Sequence, residues 1–220
     1  SKIVGDGAPR VSGHIAYRAV LPVDEVPKPV LSDDVVLWAG PKTHLVHYKL
    51  RRGEIFNIVA VFHSDKYEEG WDAFGDPKEL EEKFKNERPE VHMLLNKIES
   101  WRMWVLCDRE PIKNWSRGKV TLLGDAAHPM LQYLAAGAGM AIEDSVVLAQ
   151  LLEANDSEFK TTFEQYEQTR YLRTGRVQTT ARIYGDIYHA AGVVGELRTM
   201  MLSGRDPKNY DGVAWLYDGV

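Results

Sequence analysis

Apolar and polar positions alternate with a period of two over the first third of the chain and with a helical period over most of the last. Residues 13–23 (Gly-His-Ile-Ala-Tyr-Arg-Ala-Val-Leu-Pro-Val) predict a strand closed by proline. Pro22, Pro27 and Pro29 make the next segment a loop. Val35 to Ala39 predicts a short strand, Gly40-Pro41 a turn, and His44 to Leu50 a third strand. Arg51-Arg52-Gly53-Glu54 reads as a hairpin turn, with Ile55 to His63 as the returning strand. Helical spacing starts at Asp76-Pro77, with Asp76 as N-cap and Pro77 at the first helical position. It continues through Leu80, Phe84, Val91, Leu94, Leu95 and Ile98, interrupted at Pro89. Trp101 to Arg109 returns to strand, and Lys119 to Leu123 predicts a buried one. Ala141 to Glu153 predicts a strong helix with Ile142, Val146, Ala149 and Leu152 on its apolar face. From Glu158 to the neighbourhood of Met201 the pattern is helical and rich in Arg and Tyr, with breaks expected near Gly175, Gly185 and Gly192.

With 44% hydrophobic and 27% charged residues, a chain of 220 residues can bury a real core in one or two domains. The net charge of −5 argues against a nucleic-acid partner, which selects a basic surface. No apolar run reaches transmembrane length and no secretory leader pattern opens the chain, so a cytoplasmic protein without a membrane partner is expected. Cys107 is the only cysteine, which rules out a disulfide within the chain. In the apolar run from Met103 it reads as a small buried hydrophobe rather than a nucleophile.

The chemistry concentrates in one stretch. The apolar run Val120-Thr121-Leu122-Leu123 ends in Gly124-Asp125, and Ala126-Ala127-His128-Pro129-Met130 follows. Leu131-Gln132-Tyr133-Leu134-Ala135-Ala136-Gly137-Ala138-Gly139-Met140 then leads into the apolar helix. A strand ending in a carboxylate, a Gly/Ala turn and a helix N-terminus is how an α/β protein holds an extended cofactor. The carboxylate takes a ribose hydroxyl, the glycines let backbone approach a flat ring, and the N–H groups of the helix start favour negative charge. Gly137-Ala138-Gly139 is followed by Met140-Ala141-Ile142, so it is not a G-x-G-x-x-G diphosphate turn, and no such turn occurs in these 220 residues.

Gly124-Asp125-Ala126-Ala127-His128-Pro129 resembles the second FAD-binding motif of the single-component flavoprotein aromatic hydroxylases. The resemblance implies FAD as cofactor, NADH or NADPH as reductant, dioxygen and a small aromatic acid as substrates, and no metal. A homodimer is one candidate assembly. It also implies that Asp125 hydrogen-bonds a ribityl or ribose hydroxyl, that Gly124 permits the close turn, and that Pro129 packs near the reactive edge of the flavin. The backbone of Gly137, Ala138, Gly139 and Met140 would face the pyrimidine ring. His128 is expected to hold the turn rather than to catalyse. The family also carries an N-terminal G-x-G-x-x-G region and an internal Asp-Gly motif. The chain opens at Ser1-Lys2, beyond where both would stand, and is therefore expected to be the C-terminal part of a larger enzyme.

The implied fold is α/β. A substrate-binding, α+β sheet domain spans 1–110. An FAD-binding segment, the C-terminal part of a Rossmann-like domain, spans 111–155, and a helical region spans 156–220. The run Leu131-Gln132-Tyr133-Leu134 is similar to the 3-hydroxybenzoate 6-hydroxylase branch, which implies hydroxylation of 3-hydroxybenzoate to 2,5-dihydroxybenzoate (gentisate). Salicylate 1-hydroxylation and 6-hydroxynicotinate 3-monooxygenation, both decarboxylating, are the alternatives within the class. A fragment or binding module unable to hold FAD is the alternative outside it.

Gln132 and the strand from His44 to Tyr48 are the substrate candidates. His44, Val46 and Tyr48 share one face, offering an imidazole, an apolar gap and a phenol to a flat hydroxylated ring. His44 can accept the phenolic proton, which pushes electron density into the ring. Tyr48 or Gln132 can bind the carboxylate or phenolic oxygen. The opposing expectation is that His44 and Tyr48 only pack within the sheet. His47, on the other face, is expected to be solvated or structural. Arg51 and Arg52 read as a solvated hairpin tip, and Trp101, Trp104 and Trp115 as packing residues.

Overall fold

The computed structural model describes residues 3–5, 7–65, 73–206 and 208–218, so the opening Ser1-Lys2 pair lies outside the described residues. The architecture is mixed α/β, as the sequence pattern implies. The chain separates into two compact units, one of residues 12–106 with 186–203 and one of residues 1–11, 107–185 and 204–220. Segments 111–155 and 156–220, separate in the sequence reading, thus largely fall in one unit.

The first unit is built on a five-stranded sheet with strand order β2-β3-β4-β1-β5. The strands are β1 (Arg10–Pro22), β2 (Val36–Gly40), β3 (Thr43–Leu50), β4 (Ile55–His63) and β5 (Arg102–Asp108). β2, β3 and β4 form antiparallel hairpins, and β4 closes on β1 with His14 opposite His63 and Val20 opposite Asn57. Strand alternation divides the sheet. Ile15, Tyr17 and Leu21 of β1, Leu45 of β3 and Phe56, Ile58 and Phe62 of β4 enter the core. Leu80 and Phe84 of helix α1 (Pro77–Phe84) and Val91, Leu94 and Leu95 of helix α2 (Pro89–Leu95) complete it. Asp76 caps α1 by accepting the Lys78 N–H at 2.9 Å, and Pro77 opens the helix. Pro89 begins α2 instead of interrupting one long helix. His47 lies on the core side, buried, where its Nε2 accepts the Trp38 indole N–H at 3.0 Å. Its role is therefore structural.

The second unit is mostly helical. Its strands β6 (Ser116–Arg117) and β7 (Val120–Thr121) form only a two-residue ladder, and Val120 is exposed. The buried strand expected over 119–123 is thus a short hairpin followed by an extended Leu122-Leu123 run. Helix α3 (Gly137–Ala154) starts before the expected Ala141, at the glycine pair itself. Its expected apolar face is the exposed one: Ile142 and Val146 are solvent-accessible, whereas Met140, Asp144 and Val147 are buried. The reason lies in Asp144, whose partners draw that face inward, as described below. Helix α4 (Phe159–Tyr188) runs unbroken through Gly175 and Gly185. Both glycines serve close approach instead of chain breaking: a Cβ at Gly185 would lie 2.6 Å from the Tyr133 ring, and one at Gly175 3.3 Å from Pro111. The real break comes at Gly192, where φ is +55° and helix α5 (Gly192–Ser203) begins. A last turn, α6 (Ala214–Tyr217), brings Leu216 against Met140 and Val177.

Candidate cofactor site

Gly124 ends the extended Leu122-Leu123 run and starts a single 3-10 turn, Gly124–Ala126. Its φ of +58° is a left-handed conformation, and a Cβ there would lie 3.0 Å from the Ala141 Cβ. Both constraints select glycine, and together they bring the turn down onto α3. The neighbouring Asp125 projects outward, exposed, with Oδ1 3.9 Å from where a Gly137 Cβ would stand. The motif carboxylate thus stands beside the first residue of α3.

The N-terminus of α3 is left open. Its N-cap is Ala136, which offers no side-chain acceptor, and Ala138 and Gly139 are exposed. The Met140 N–H is already committed to the Ala136 carbonyl at 2.9 Å, and the Met140 side chain is buried. The uncommitted donors of this helix start are therefore those of Gly137, Ala138 and Gly139. A Cβ at Gly139 would meet nothing within 4 Å, so that backbone has open space over it. An exposed carboxylate beside an uncapped, glycine-rich helix start suits a ligand with hydroxyls and a ring that gains negative charge. These residues fit a flavin nucleotide.

A buried ionic network, unforeseen from the sequence, holds the turn in place. Asp144, fully buried in α3, accepts the Gly124 N–H at 3.0 Å and the Arg170 Nε–H at 2.7 Å, and lies 2.6 Å from His128 Nε2. Burial alone would push the Asp144 carboxyl up, but the bonds to His128, Arg170 and Gly124 outweigh it and hold its pKa below the ordinary carboxylate value. Arg170, also fully buried, donates to Glu143 at 2.7 Å, and Arg173 pairs with Glu143 at 2.6 and 2.7 Å. Gln178 donates to the Pro129 carbonyl at 3.0 Å and to that of Arg109 at 3.2 Å, fixing the far end of the turn. His128 therefore sits as a clamp, its ring tilted 53° to that of Trp115 at 5.4 Å between centroids. One signal for the network was present in the sequence: Glu143-Asp144 is an acid pair inside an otherwise apolar helix, and buried acids require partners.

Gln132 lies exposed in a second 3-10 turn, Gln132–Leu134, which closes at Ala135 with φ +51°. In the sheet unit, His44, Val46 and Tyr48 share the face opposite the core, beside Val61, Val59 and Asn57 of β4. His44 is buried, with Nδ1 2.6 Å from His189 Nε2, and burial pushes its pKa down to about 3. Tyr48 is half-buried. Arg18 and Asn57, passed over in the sequence, lie at the Tyr48 end of this face: Asn57 faces Tyr48 across the β3–β4 ladder, and the Arg18 Nε–H donates to Asn57 Oδ1 at 2.7 Å. Asn57 is fully buried, and its Nδ2 has no partner among the described residues.

Residues 24–181 match the family described as FAD binding domain. The chain belongs to this family. It is 43% identical over 217 residues to a 3-hydroxybenzoate 6-hydroxylase of Polaromonas naphthalenivorans (strain CJ2), covering 98% of this chain and 54% of that protein. It is 36% identical to the 3-amino-4-hydroxybenzoate 2-monooxygenase PtnB3 of Streptomyces platensis, again covering 98% of this chain and 54% of that one. Among solved structures, a salicylate hydroxylase substrate complex superposes with a TM-score of 0.79 at 25% identity, covering 96% of this chain and 56% of the other. Klebsiella pneumoniae HpxO, solved with FAD and uric acid, shares the fold with a TM-score of 0.83 at 21% identity, covering 99% and 56%. The similarity to flavoprotein hydroxylases read from the Gly124–Pro129 motif is thus shown. The chain spans about half the length of the curated relatives just named.

Proposed function

We propose that the protein is a flavin-dependent monooxygenase that hydroxylates the ring of a phenolic aromatic acid, with 3-hydroxybenzoate as substrate and 2,5-dihydroxybenzoate as product. The observation that carries this is the exposed Asp125 beside the open α3 N-terminus, taken with 43% identity to proteins named 3-hydroxybenzoate 6-hydroxylase. Asp125 accepts hydrogen bonds from hydroxyls of the FAD sugar chain, and the N–H groups of Gly137 to Gly139 face the flavin ring. When bound, FAD supplies the redox chemistry that joins NAD(P)H, dioxygen and the ring.

The chain's own residues bind and orient the aromatic acid. His44 hydrogen-bonds the oxygen of the ring hydroxyl. Burial pushes its pKa down to about 3, so the imidazole is neutral and does not store a proton. Val46 and Val59 offer an apolar floor, and Tyr48 binds a remaining oxygen. Arg18 and the unpartnered Asn57 amide supply the cationic and donor groups that a carboxylate selects.

Incubating the full protein with NADH, dioxygen and, in separate reactions, 3-hydroxybenzoate, salicylate and 6-hydroxynicotinate tests this. The expected result is 2,5-dihydroxybenzoate from the first, without release of carbon dioxide. Decarboxylated products from either of the other two, with 3-hydroxybenzoate untouched, would move the assignment to the decarboxylating branch. Arg18→Gln should raise KM for the acid far more than it lowers kcat.

A further inference from the structure

Three imidazoles converge on the outer face of the sheet unit. His14 of β1 and His63 of β4 are direct cross-strand partners, and His189 follows the end of α4. His14 Nε2 lies 2.8 Å from His63 Nε2, His63 Nε2 lies 3.2 Å from His189 Nδ1, and a 3.4 Å separation from His189 Nδ1 back to His14 Nε2 closes the triangle. A neutral ring nitrogen is either a donor or an acceptor. Around a triangle these roles cannot alternate, so the three contacts cannot all be hydrogen bonds. At least one pair must meet lone pair to lone pair or N–H to N–H.

A single divalent cation removes that conflict by taking all three lone pairs. The spacing suits one: around a tetrahedral zinc with Zn–N of about 2.0–2.1 Å, neighbouring ligand nitrogens stand about 3.3 Å apart. His44 supplies the outer support such a site requires. Its Nδ1 lies 2.6 Å from His189 Nε2, the nitrogen turned away from the triangle. With the His189 Nδ1 lone pair on the metal, Nε2 carries the proton and donates it to His44, which fixes the tautomer of the ligating ring. Among the charges near His63, Asp186 favours a cation, while Lys42 and Lys83 oppose one.

We propose that His14, His63 and His189 bind one divalent cation of the zinc class, with His44 as a positioning residue, and that the ion ties the segment after α4 to strands β1 and β4. The sequence reading expected no metal. The site shares His44 with the proposed aromatic-acid site, and its test does not read turnover. Untagged full protein is stripped with a chelator and titrated with Zn²⁺ against a chromophoric competitor, and in parallel with Co²⁺ for visible absorption bands. One equivalent per chain is expected. His63→Ala, at a half-buried position, should weaken Zn²⁺ binding more than the roughly 10–100-fold expected for the outer residue in His44→Ala. His92→Ala in α2 should change nothing. His14→Gln replaces His63→Ala if that variant melts far below the parent. Absence of stoichiometric Zn²⁺ or Co²⁺ binding, or an unchanged affinity in the ligand variants, overturns the proposal.

Discussion

Asp144→Ala probes the network that holds the Gly124–Pro129 turn. Asp144 is fully buried and is bonded by the Gly124 N–H, His128 and Arg170. Its removal leaves a buried backbone N–H and a buried imidazole without their acceptor. Arg170 keeps Glu143 at 2.7 Å, so its charge is not wholly abandoned. Breaking one side of a buried pair costs ~3–5 kcal/mol, and the surviving Glu143 contact places this variant near the lower end, ~3 kcal/mol. Against a typical domain stability of ~5–15 kcal/mol, that is a large fraction. Urea unfolding followed by tryptophan fluorescence, to which Trp115 beside His128 contributes, reads the loss. Adding Arg170→Met should recover part of it, because the double variant no longer buries a charge, and the cycle should give a coupling of at least ~1 kcal/mol within the usual range of about 0.5–3. A loss under ~1 kcal/mol in Asp144→Ala, or simple additivity with Arg170→Met, would refute the account of the network.

The same carboxylate sets a pH dependence. Its folded pKa is depressed, so its stabilisation is present above the unfolded value of ~3.9 and is lost as pH falls through the folded value; acid titration of stability should therefore be shallower in Asp144→Asn than in the parent. Gly124→Ala meets both a +58° φ and a 3.0 Å contact with Ala141, and chemical denaturation should show a loss of ~1–3 kcal/mol. Gly185→Ala should cost a similar ~1–3 kcal/mol, because its Cβ would stand 2.6 Å from the Tyr133 ring; a variant that melts at the parental temperature would show that Tyr133 gives way.

What the sequence made legible was local. The hairpins of β2, β3 and β4, the Asp76 cap and the Gly124–Pro129 turn all follow from neighbouring residues, and all are present. What it concealed depended on partners distant in the chain. Periodicity counts Ile142 and Val146 as a core face, but Asp144 turns the opposite side inward because Arg170, 26 residues away, neutralises it. Gly175 and Gly185 resemble helix breakers until Pro111 and Tyr133 are seen against them. His14 and His189 meet across 175 residues of sequence, a separation at which no spacing rule applies.

The central claim is that the Gly124–Pro129 turn and the α3 N-terminus hold FAD. Titrating FAD into the apo form of the full protein, with flavin fluorescence as the signal, tests it most directly when parent and Asp125→Ala are run side by side. The parent should bind one equivalent, and Asp125→Ala should bind ~1–3 kcal/mol more weakly, the worth of a hydrogen bond to a charged group, while unfolding at the same denaturant concentration because Asp125 is exposed. An unchanged dissociation constant in Asp125→Ala would contradict the claim and place the cofactor elsewhere.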